Sequence, residues 1–282
     1  MQPNNSPIYV HKNTGEKDIF DENKLVSALM RAGASPEESQ VVLNKVTSQL
    51  YNGISTGKIY KIAYKVLREI SHKSAGRYRL KKAVLDLGPS GYPFEKFIGR
   101  LFEKMGYTVE VGKTINGKCI THEIDVIARN NTEQIMVECK FHSLKGQKSD
   151  VKVPLYIHSR FMDVKAVWEK DPKLEGLKLS GMVATNTRFS EDAKNFANCS
   201  GLRILSWDYP YQNSLREWID KSGFYPITAL HSLKKKEKDE LLQKDVILCR
   251  ELKQHKNTMR AIGINEKRIK KIIEEAEKLI SQ

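Results

Sequence analysis

The segment from His122 to Lys140 constrains the fold more than any other part of this 282-residue chain. Apolar and polar residues alternate around Asp125, a polar turn follows at residues 129–132, and a second apolar run begins at Ile135. This pattern predicts two β-strands joined as a hairpin. Asp125 lies on the first strand, and Glu138 and Lys140, two residues apart, project from one face of the second. Two carboxylates and an ammonium group are therefore expected to converge at a strand end.

Such a triad suits the hydrolysis of phosphodiester bonds. Asp125 and Glu138 offer hard oxygen ligands to Mg²⁺ or Mn²⁺ and leave coordination positions for water. Lys140 would orient the attacking water or stabilise the charge that develops on the phosphate. The alternative is a surface hairpin with solvated charges, because a short D…ExK pattern also arises by chance.

The surrounding sequence predicts an α/β core. Apolar residues recur at helical spacing from residue 94 to 105, and Gly106 ends that helix. Glu95 lies beside the apolar stripe, from which its carboxylate could reach the metal site. Two short apolar strands at residues 182–186 and 202–207, separated by a helix from Ser190, predict a βαβ unit.

The order of a helix with Glu95, a strand with Asp125 and a strand with Glu138-Cys139-Lys140 resembles the PD-(D/E)xK nuclease superfamily. The segments GYPFEKFIGRLFEKMGY, HEIDVIA and ECK are similar to its Mrr-type restriction endonuclease branch. The resemblance covers about residues 90 to 210. It implies a restriction endonuclease-like domain with a mixed sheet that cleaves DNA with Mg²⁺ or Mn²⁺. Asp125 and Glu138 would be metal ligands, and Glu95 and Lys140 would complete the catalytic set.

The first 88 residues predict a β-hairpin followed by four short helices, with Thr56 capping the third and Ser74 to Leu87 forming the fourth. The motifs Val-x-Lys-x-x-Gly, ending at Gly15, and Phe-Asp-x-x-Lys-Leu, ending at Leu25, are similar to the ATP-cone. The ATP-cone is the nucleotide-sensing module of ribonucleotide reductases and of their transcriptional repressors.

The resemblance to the ATP-cone implies a regulatory ligand, ATP or dATP. The positions that match the family's triphosphate contacts are Lys12, Asn13, Lys24 and Thr56, and Asp18, Asp21 and Tyr60 match lining positions. The family usually has arginine where this chain has Asn13, so this position, which bears on phosphate affinity and nucleotide preference, departs from the family pattern. The alternative for the two lysines is a solvated basic face.

Charge indicates a polyanionic partner, which we expect to be DNA. The net charge is +14, and about +6 lies on each of residues 1–90 and 221–282, while the middle is nearly neutral. Residues 221–282 predict charged amphipathic helices, and Gly263 before a helix N-terminus is similar to a helix-hairpin-helix element. In that element Lys267, Arg268, Lys270 and Lys271 would approach phosphates. A plain helical packing domain is the alternative.

Two further patterns bear on the partner and the compartment. Lys152, Tyr156 and Arg160 are spaced by four, so they would share a helix face that could touch the DNA backbone. The four cysteines form no CxxC pair, which argues against a zinc ribbon or a disulfide framework. The chain has neither a secretory signal nor an apolar run of about 18 residues, so we expect a cytoplasmic protein without a membrane partner.

The sequence thus predicts a multidomain α/β protein. Residues 1–88 form a helical ATP-cone with a β-hairpin, 89–220 a restriction endonuclease-like domain, and 221–282 a basic helical module. The predicted function is nucleotide-regulated, metal-dependent DNA cleavage, and we expect a homo-oligomer. The alternatives are a nucleotide-responsive DNA-binding regulator that does not cleave, and a structure-specific nuclease for junctions or DNA repair.

Overall fold

A computed structural model describes residues 7–12, 15–144 and 146–281. The strands are β1 Tyr9–His11, β2 Lys17–Ile19, β3 Ile54–Ser55, β4 Thr108–Asn116, β5 Thr121–Arg129, β6 Glu133–Lys140, β7 Lys148–Ser149, β8 Lys178–Thr185, β9 Arg188–Phe189 and β10 Arg203–Leu205. The helices are α1 Glu22–Arg31, α2 Pro36–Thr47, α3 Thr56–Ile70, α4 His72–Tyr78, α5 Leu80–Leu85, α6 Tyr92–Lys104, α7 Lys152–Trp168, α8 Glu191–Ser200, α9 Leu215–Ser222, α10 Lys235–Gln243, α11 Lys256–Ala261 and α12 Glu266–Ile280.

The N-terminal unit is a small sheet covered by helices. Its strand order is β2-β1-β3, and α1 to α4 bury one face of each helix in a common apolar core. Local sequence explains where these helices begin. The Ser35 side chain accepts from the backbone N–H of Glu38, whose carboxylate accepts from the Ser35 N–H, and Pro36 occupies the first turn of α2.

The helix predicted from Ser74 to Leu87 is two helices, α4 and α5, which meet at Arg79. Ala75 of α4 lies in the N-terminal core, whereas Ala83 and Val84 of α5 lie in the next core. A single straight helix could not turn its apolar face toward both cores, so the break follows from packing.

The central unit is built on a five-stranded mixed sheet, ordered β10-β8-β6-β5-β4. Strands β4, β5 and β6 are antiparallel, and β6, β8 and β10 are parallel. Helix α6 covers one face and α7 and α8 cover the other, because successive residues of β6 point to opposite cores: Val137 joins the core with α6 and Met136 joins the core with α7. Gly99 of α6 lets that helix lie close to β4, since a Cβ there would be 3.2 Å from Val109 and Val111.

The C-terminal segment shares the core of the central unit. Buried residues of α10, α11 and α12 form one continuous apolar cluster with α5, α6, α9 and the central sheet. Helix α12 also packs on α4 of the N-terminal unit, where a Cβ on Gly76 would be only 2.7 Å from Leu279. Three segments of distinct sequence character therefore pack against one another directly.

The predicted fold class is confirmed: a helical N-terminal unit with a hairpin, a central α/β unit with a mixed sheet, and a helical C-terminal region. The domain boundaries after residues 88 and 220 stay predictions. Within the described residues, no helix has the combined length and apolar character that crossing a membrane requires.

Candidate nuclease site and nucleotide pocket

Asp125 and Glu138 lie beside each other at the end of the β5–β6 pair. The register places Val126 opposite Val137, so Asp125 and Glu138 are the next facing positions toward that end. The Asp125 Oδ2 accepts a hydrogen bond of 2.7 Å from the backbone N–H of Cys139. This bond fixes the orientation of the Asp125 carboxylate against the neighbouring strand.

The strand carrying Asp125 is irregular at that position. In the β4–β5 register, Val111 faces Val126 and Lys113 faces Ile124, while the intervening Gly112 has a φ of 65°. A residue with a side chain rarely adopts this left-handed conformation, so glycine suits the position. Ile124 and Val126, which flank Asp125, lie in opposite cores although they are two residues apart, so the alternation predicted from the sequence breaks at Asp125.

Glu95 approaches the same point from the first turn of α6. Its pKa is raised to about 7, first by burial and then by the nearby charges of Asp125, Glu123 and Glu138. The pKa of Glu138 is also raised to about 7, by burial and by Asp125. Burial raises the pKa of Asp125 as well. The structure therefore brings three carboxyl groups together in a place where full ionisation is unfavourable without a cation.

The oxygen donors at this point fit Mg²⁺ or Mn²⁺. Magnesium is commonly held by one or two carboxylates and keeps several waters, which matches Asp125 and Glu138. In the part of the chain that the structure describes, no group of three or more His, Cys, Asp or Glu side chains is arranged to hold a metal ion. Water and substrate oxygens would therefore have to complete the coordination of an ion held by these two carboxylates.

Arg160 occupies a place that the sequence did not predict. Its Nη1 lies 2.7 Å from the Glu138 Oε2, and its Nη2 donates to the carbonyl oxygen of Glu123. The guanidinium also lies over the Tyr156 ring, 5.6 Å from its centroid. The proposed role of Arg160 in touching the DNA backbone does not match this position, because the side chain points into the carboxylate cluster. In the sequence, only the four-residue spacing between Tyr156 and Arg160 indicated a contact of Arg160, namely the one with Tyr156.

Lys140 is exposed at the end of β6, on the strand that carries Glu138. Its carbonyl oxygen accepts a hydrogen bond of 2.7 Å from the hydroxyl of Thr185 at the end of β8. Thr185 therefore fixes the backbone of the proposed catalytic lysine and leaves the ammonium group toward solvent. Nothing in the sequence pattern pointed to Thr185 in this role.

Residues next to the triad have structural roles. His122 is buried, and its Nε2 lies 2.8 Å from the Asp163 Oδ2, which ties β5 to α7. Cys139 is buried in the core, and all four cysteines are free thiols.

The N-terminal unit brings three of its four predicted nucleotide-binding residues to one pocket. Lys12, Lys24 and Thr56 line a cavity of about 510 Å³, with Tyr60 and Tyr78 stacked 5.1 Å apart in its wall. The two lysines converge on Asp18, whose Oδ2 is 2.9 Å from the Lys12 Nζ and 4.0 Å from the Lys24 Nζ.

This cavity has the size of a small-molecule site. The predicted lining positions Asp18, Asp21 and Tyr60 also line it. Thr56 is the first residue of α3, and Ser55 is the residue that caps the helix. Asn13 lies outside the described residues.

The C-terminal basic residues separate into two groups. Arg268 is drawn inward, with its Nη1 2.5 Å from the Glu237 Oε1 and its Nη2 2.9 Å from the carbonyl oxygen of Ser232. Lys267, Lys270 and Lys271 remain exposed on α12. Of the four residues predicted to approach phosphates, Arg268 therefore holds α12 to α10 and to the segment before it.

Comparison with known families accounts for all three parts of the chain. Residues 8–82 match the ATP cone domain, residues 88–156 match the restriction endonuclease domain of the Mrr type, and residues 225–280 match the AF1548-like C-terminal domain. The predicted fusion of an ATP-cone with an Mrr-type nuclease domain is thereby confirmed. The fold and these matches define a protein with an ATP-cone domain and a nuclease-like domain.

Similarity to individual proteins shows the family to which the chain belongs. An uncharacterised protein of Archaeoglobus fulgidus is 33% identical over 184 residues, which are 65% of this chain and 99% of the relative. The crystal structure of AF1548, a protein of unknown function, is 32% identical and has a TM-score of 0.56, with 68% of this chain and 98% of that chain covered. The chain belongs to the AF1548-like family.

A more distant solved structure is that of Can2 from Sulfobacillus thermosulfidooxidans in complex with cyclic tetra-adenylate. It is 14% identical, covers 71% of this chain and 54% of its own, and has a TM-score of 0.34. That similarity is too low to say anything about the function of this chain.

Proposed function

We propose that this protein is a metal-dependent DNA endonuclease whose activity responds to a nucleotide bound by the N-terminal domain. The observation that carries the proposal is the convergence of Asp125 and Glu138 across two strands, with Glu95 beside them and Lys140 on the same strand end. It occurs within the segment that matches the Mrr-type restriction endonuclease domain.

The carboxylates have distinct roles in the proposed reaction. Asp125 and Glu138 would hold Mg²⁺ or Mn²⁺, which when bound supplies Lewis acidity toward the phosphate and lowers the pKa of a coordinated water. The hydrogen bond from the Cys139 N–H keeps Asp125 oriented for this task. Glu95 has a pKa raised to about 7, so it can hold or release a proton near neutral pH.

Lys140 supplies the positive charge at the scissile phosphate. It is exposed, so its ammonium can reach the substrate and stabilise the charge that builds on the phosphate oxygens or orient the attacking water. Thr185 fixes the backbone from which that ammonium extends. In this proposal the exposed side chain of Lys140 extends toward the bound DNA.

Regulation is proposed from the pocket of the N-terminal domain. Lys12 and Lys24 would bind the phosphates of ATP or dATP, because two ammonium groups that share one aspartate are already close together. Thr56 and the stacked tyrosines form the rest of the lining. The nucleotide would shift the protein between less and more active arrangements, including a change of oligomeric state.

The proposal is tested by plasmid cleavage with purified wild-type protein in Mg²⁺, Mn²⁺ and chelator. Asp125→Asn and Lys140→Met should each lower the cleavage rate at least about a hundredfold, since each removes an interaction with the reacting phosphate or its metal. DNA affinity should be nearly unchanged, because phosphate contacts elsewhere supply most of the binding.

Glu169→Gln is the matched control, because Glu169 is an exposed carboxylate beside α7 that pairs with Lys165 outside the site. It should cleave like the wild type. Cleavage by Asp125→Asn at the wild-type rate would refute the site assignment. Wild-type protein that binds DNA but never cleaves it in either metal would instead support a DNA-binding regulator.

A further inference from the structure

A second cavity of about 510 Å³ lies between the N-terminal unit and the central sheet. Lys12 of the hairpin and Lys82 of α5 line it from one side. Lys148 of β7, Thr187 and Arg188 of β9 line it from the other. Residues 148 and 188 are neighbours in the small parallel sheet that β7 forms with β9.

This interdomain cavity adjoins the proposed nucleotide pocket. Lys12, Tyr60, Tyr78 and Arg188 line both cavities. Arg188 belongs to the central unit, yet it lies at the pocket that Lys24 and Thr56 line from the N-terminal unit. A ligand of the N-terminal pocket can therefore extend into a space whose far wall is supplied by the nuclease-like domain.

The charge of the interdomain cavity suits a polyphosphate. The lining includes the cationic side chains of Lys12, Lys81, Lys82, Lys148 and Arg188 and the carboxylate of Glu16. Lys12 pairs with Asp18 and Lys82 with Asp86, each at 2.9 Å, so a phosphate would share these two lysines with their carboxylates. Arg188 contacts the Asp208 Oδ2 through its Nε at 2.6 Å. A guanidinium has five N–H donors in a fixed fork, so it can keep this carboxylate and also donate to phosphate oxygens.

The segment that carries Arg188 is also bonded to the end of β6. The hydroxyl of Thr185 donates to the carbonyl oxygen of Lys140 at 2.7 Å. The side chain of Asn186 accepts from the backbone N–H of His142 and donates to its carbonyl oxygen, both at 2.8 Å. Residues 185 to 188 thus contact the interdomain cavity at one end and hold the backbone of Lys140 at the other.

We propose that Arg188 and Lys148 form the nuclease half of a nucleoside triphosphate site whose other half is the ATP-cone, so that the phosphates of one nucleotide bridge the two domains. This inference rests on the proposed binding of a nucleotide by the N-terminal domain. It specifies how binding would affect the catalytic site. Phosphates that bind Arg188 would shift residues 185–188, and this segment is hydrogen-bonded to the backbone of Lys140.

The test is isothermal titration of the full-length protein with ATP and with AMP. Arg188→Gln should weaken ATP binding about tenfold or more, because a charge-assisted hydrogen bond to phosphate is lost. AMP binding should weaken less than threefold, since AMP lacks the outer phosphates. Lys148→Gln should also weaken ATP binding more than AMP binding, but by a smaller factor than Arg188→Gln.

Arg203→Gln is the matched control. Arg203 is also a partly exposed arginine of the central unit in a single ion pair, with Glu133 at 2.9 Å, but it does not line either cavity. It should bind ATP like the wild type. Thermal unfolding of each variant establishes that it is folded, and hydrogen exchange on wild-type protein should show ATP-dependent protection at residues 185–189, which AMP does not produce.

The outcomes separate the two proposals. If wild-type protein binds neither ATP nor AMP, the proposed nucleotide regulation itself fails. If wild-type protein binds ATP, but Arg188→Gln and Lys148→Gln bind it within twofold of the wild type and residues 185–189 gain no protection, the N-terminal domain binds its nucleotide alone and the shared site is overturned.

Discussion

The Nη1 of Arg160 lies 2.7 Å from the Oε2 of Glu138, so a proposed metal ligand of the nuclease site is already in an ion pair with a cationic side chain. Both side chains are largely buried, with 12% and 20% of their surfaces exposed. A divalent ion at this site must therefore share Glu138 with the guanidinium or displace it.

The first prediction concerns the stability of this pair. Arg160→Met should lower the free energy of unfolding of the metal-free protein at pH 8 by about 2 to 4 kcal/mol, because a mostly buried Glu138 charge loses its partner. The loss should shrink at pH 5.5, where Glu138 with its raised pKa of about 7 is mostly protonated. Urea unfolding in chelator at both pH values measures it. Arg203→Met, which removes a more exposed pair, should cost less than 1 kcal/mol.

The pairing energy itself follows from a double-mutant cycle of Arg160→Met with Glu138→Gln. The double variant should recover much of the stability lost by Arg160→Met, because no uncompensated charge remains. Equal losses at pH 5.5 and pH 8 would show that Arg160 stabilises through packing on Tyr156 rather than through Glu138.

The second prediction concerns Glu95 and pH. Its folded pKa of about 7 is above the ordinary value of 4.5, so the ionised form is disfavoured in the folded state. The contribution of Glu95 to the free energy of unfolding therefore becomes less favourable as the pH rises from about 4.5 through 7. In metal-free protein at pH 8, Glu95→Gln should raise the free energy of unfolding by about 1 to 2 kcal/mol, allowing for its partial exposure. The gain should vanish near pH 4.5.

Glu103→Gln, on the same helix and paired with Arg100 at the surface, is the control and should bring no gain. Wild-type protein should also be stabilised by millimolar Mg²⁺ at pH 8 and much less at pH 5.5, since protons and metal compete for the same carboxylates. Equal stabilisation at both pH values would argue that magnesium binds elsewhere.

The third prediction concerns the exposed lysines of α12. Changing Lys267, Lys270 and Lys271 together to Gln should make the log–log salt dependence of DNA binding shallower by about 2 to 3 units if all three contact phosphates. This variant is more informative than a deletion of residues 221–282, because that segment shares the apolar core of the central unit. Fluorescence anisotropy with duplex DNA over a salt series gives the slope.

Lys170, Lys173 and Lys178 provide a control set of exposed lysines. Lys178 pairs in the sheet with Glu133, at the opposite end of β6 from Glu138. Their change to Gln should leave the salt slope within about half a unit of the wild type. A triple variant of α12 with an unaltered slope would leave the C-terminal helices with a packing role alone.

The fourth prediction concerns the N-terminal pocket. Lys12→Ala and Lys24→Ala should weaken ATP or dATP binding and flatten the nucleotide response of cleavage together. A tenfold change in activity through a shift of populations needs about 1.4 kcal/mol of differential binding. Asp125→Asn should still bind nucleotide normally, because the nuclease site is separate from the pocket.

Lys45→Ala, an exposed lysine of α2 that lines neither cavity, should bind and respond like the wild type. Sizing with and without nucleotide tests the expected change of oligomeric state. If millimolar ATP, dATP and ADP all fail to bind wild-type protein, the N-terminal domain is better explained as a structural or dimerising unit.

Sequence by itself determined the features that depend on local periodicity. Alternation along β5 and β6 predicted the hairpin, and the register of Val126 with Val137 brings Asp125 and Glu138 to its end, although the alternation itself breaks at Asp125. Capping residues such as Ser35 with Glu38 fixed helix starts for the same local reason. The motifs were sufficient to identify the ATP-cone and the Mrr-type domain.

Only the tertiary structure decided the relationships between distant segments. The pairing of Arg160 with Glu138, the hydrogen bond from Thr185 to Lys140 and the position of Arg188 at the nucleotide pocket each depend on how helices and strands pack. The same holds for the division of one predicted helix into α4 and α5 and for the core that the central sheet shares with the C-terminal helices. Local periodicity specifies which face of an element is buried, but the partner of that face is selected by the packing of the whole chain.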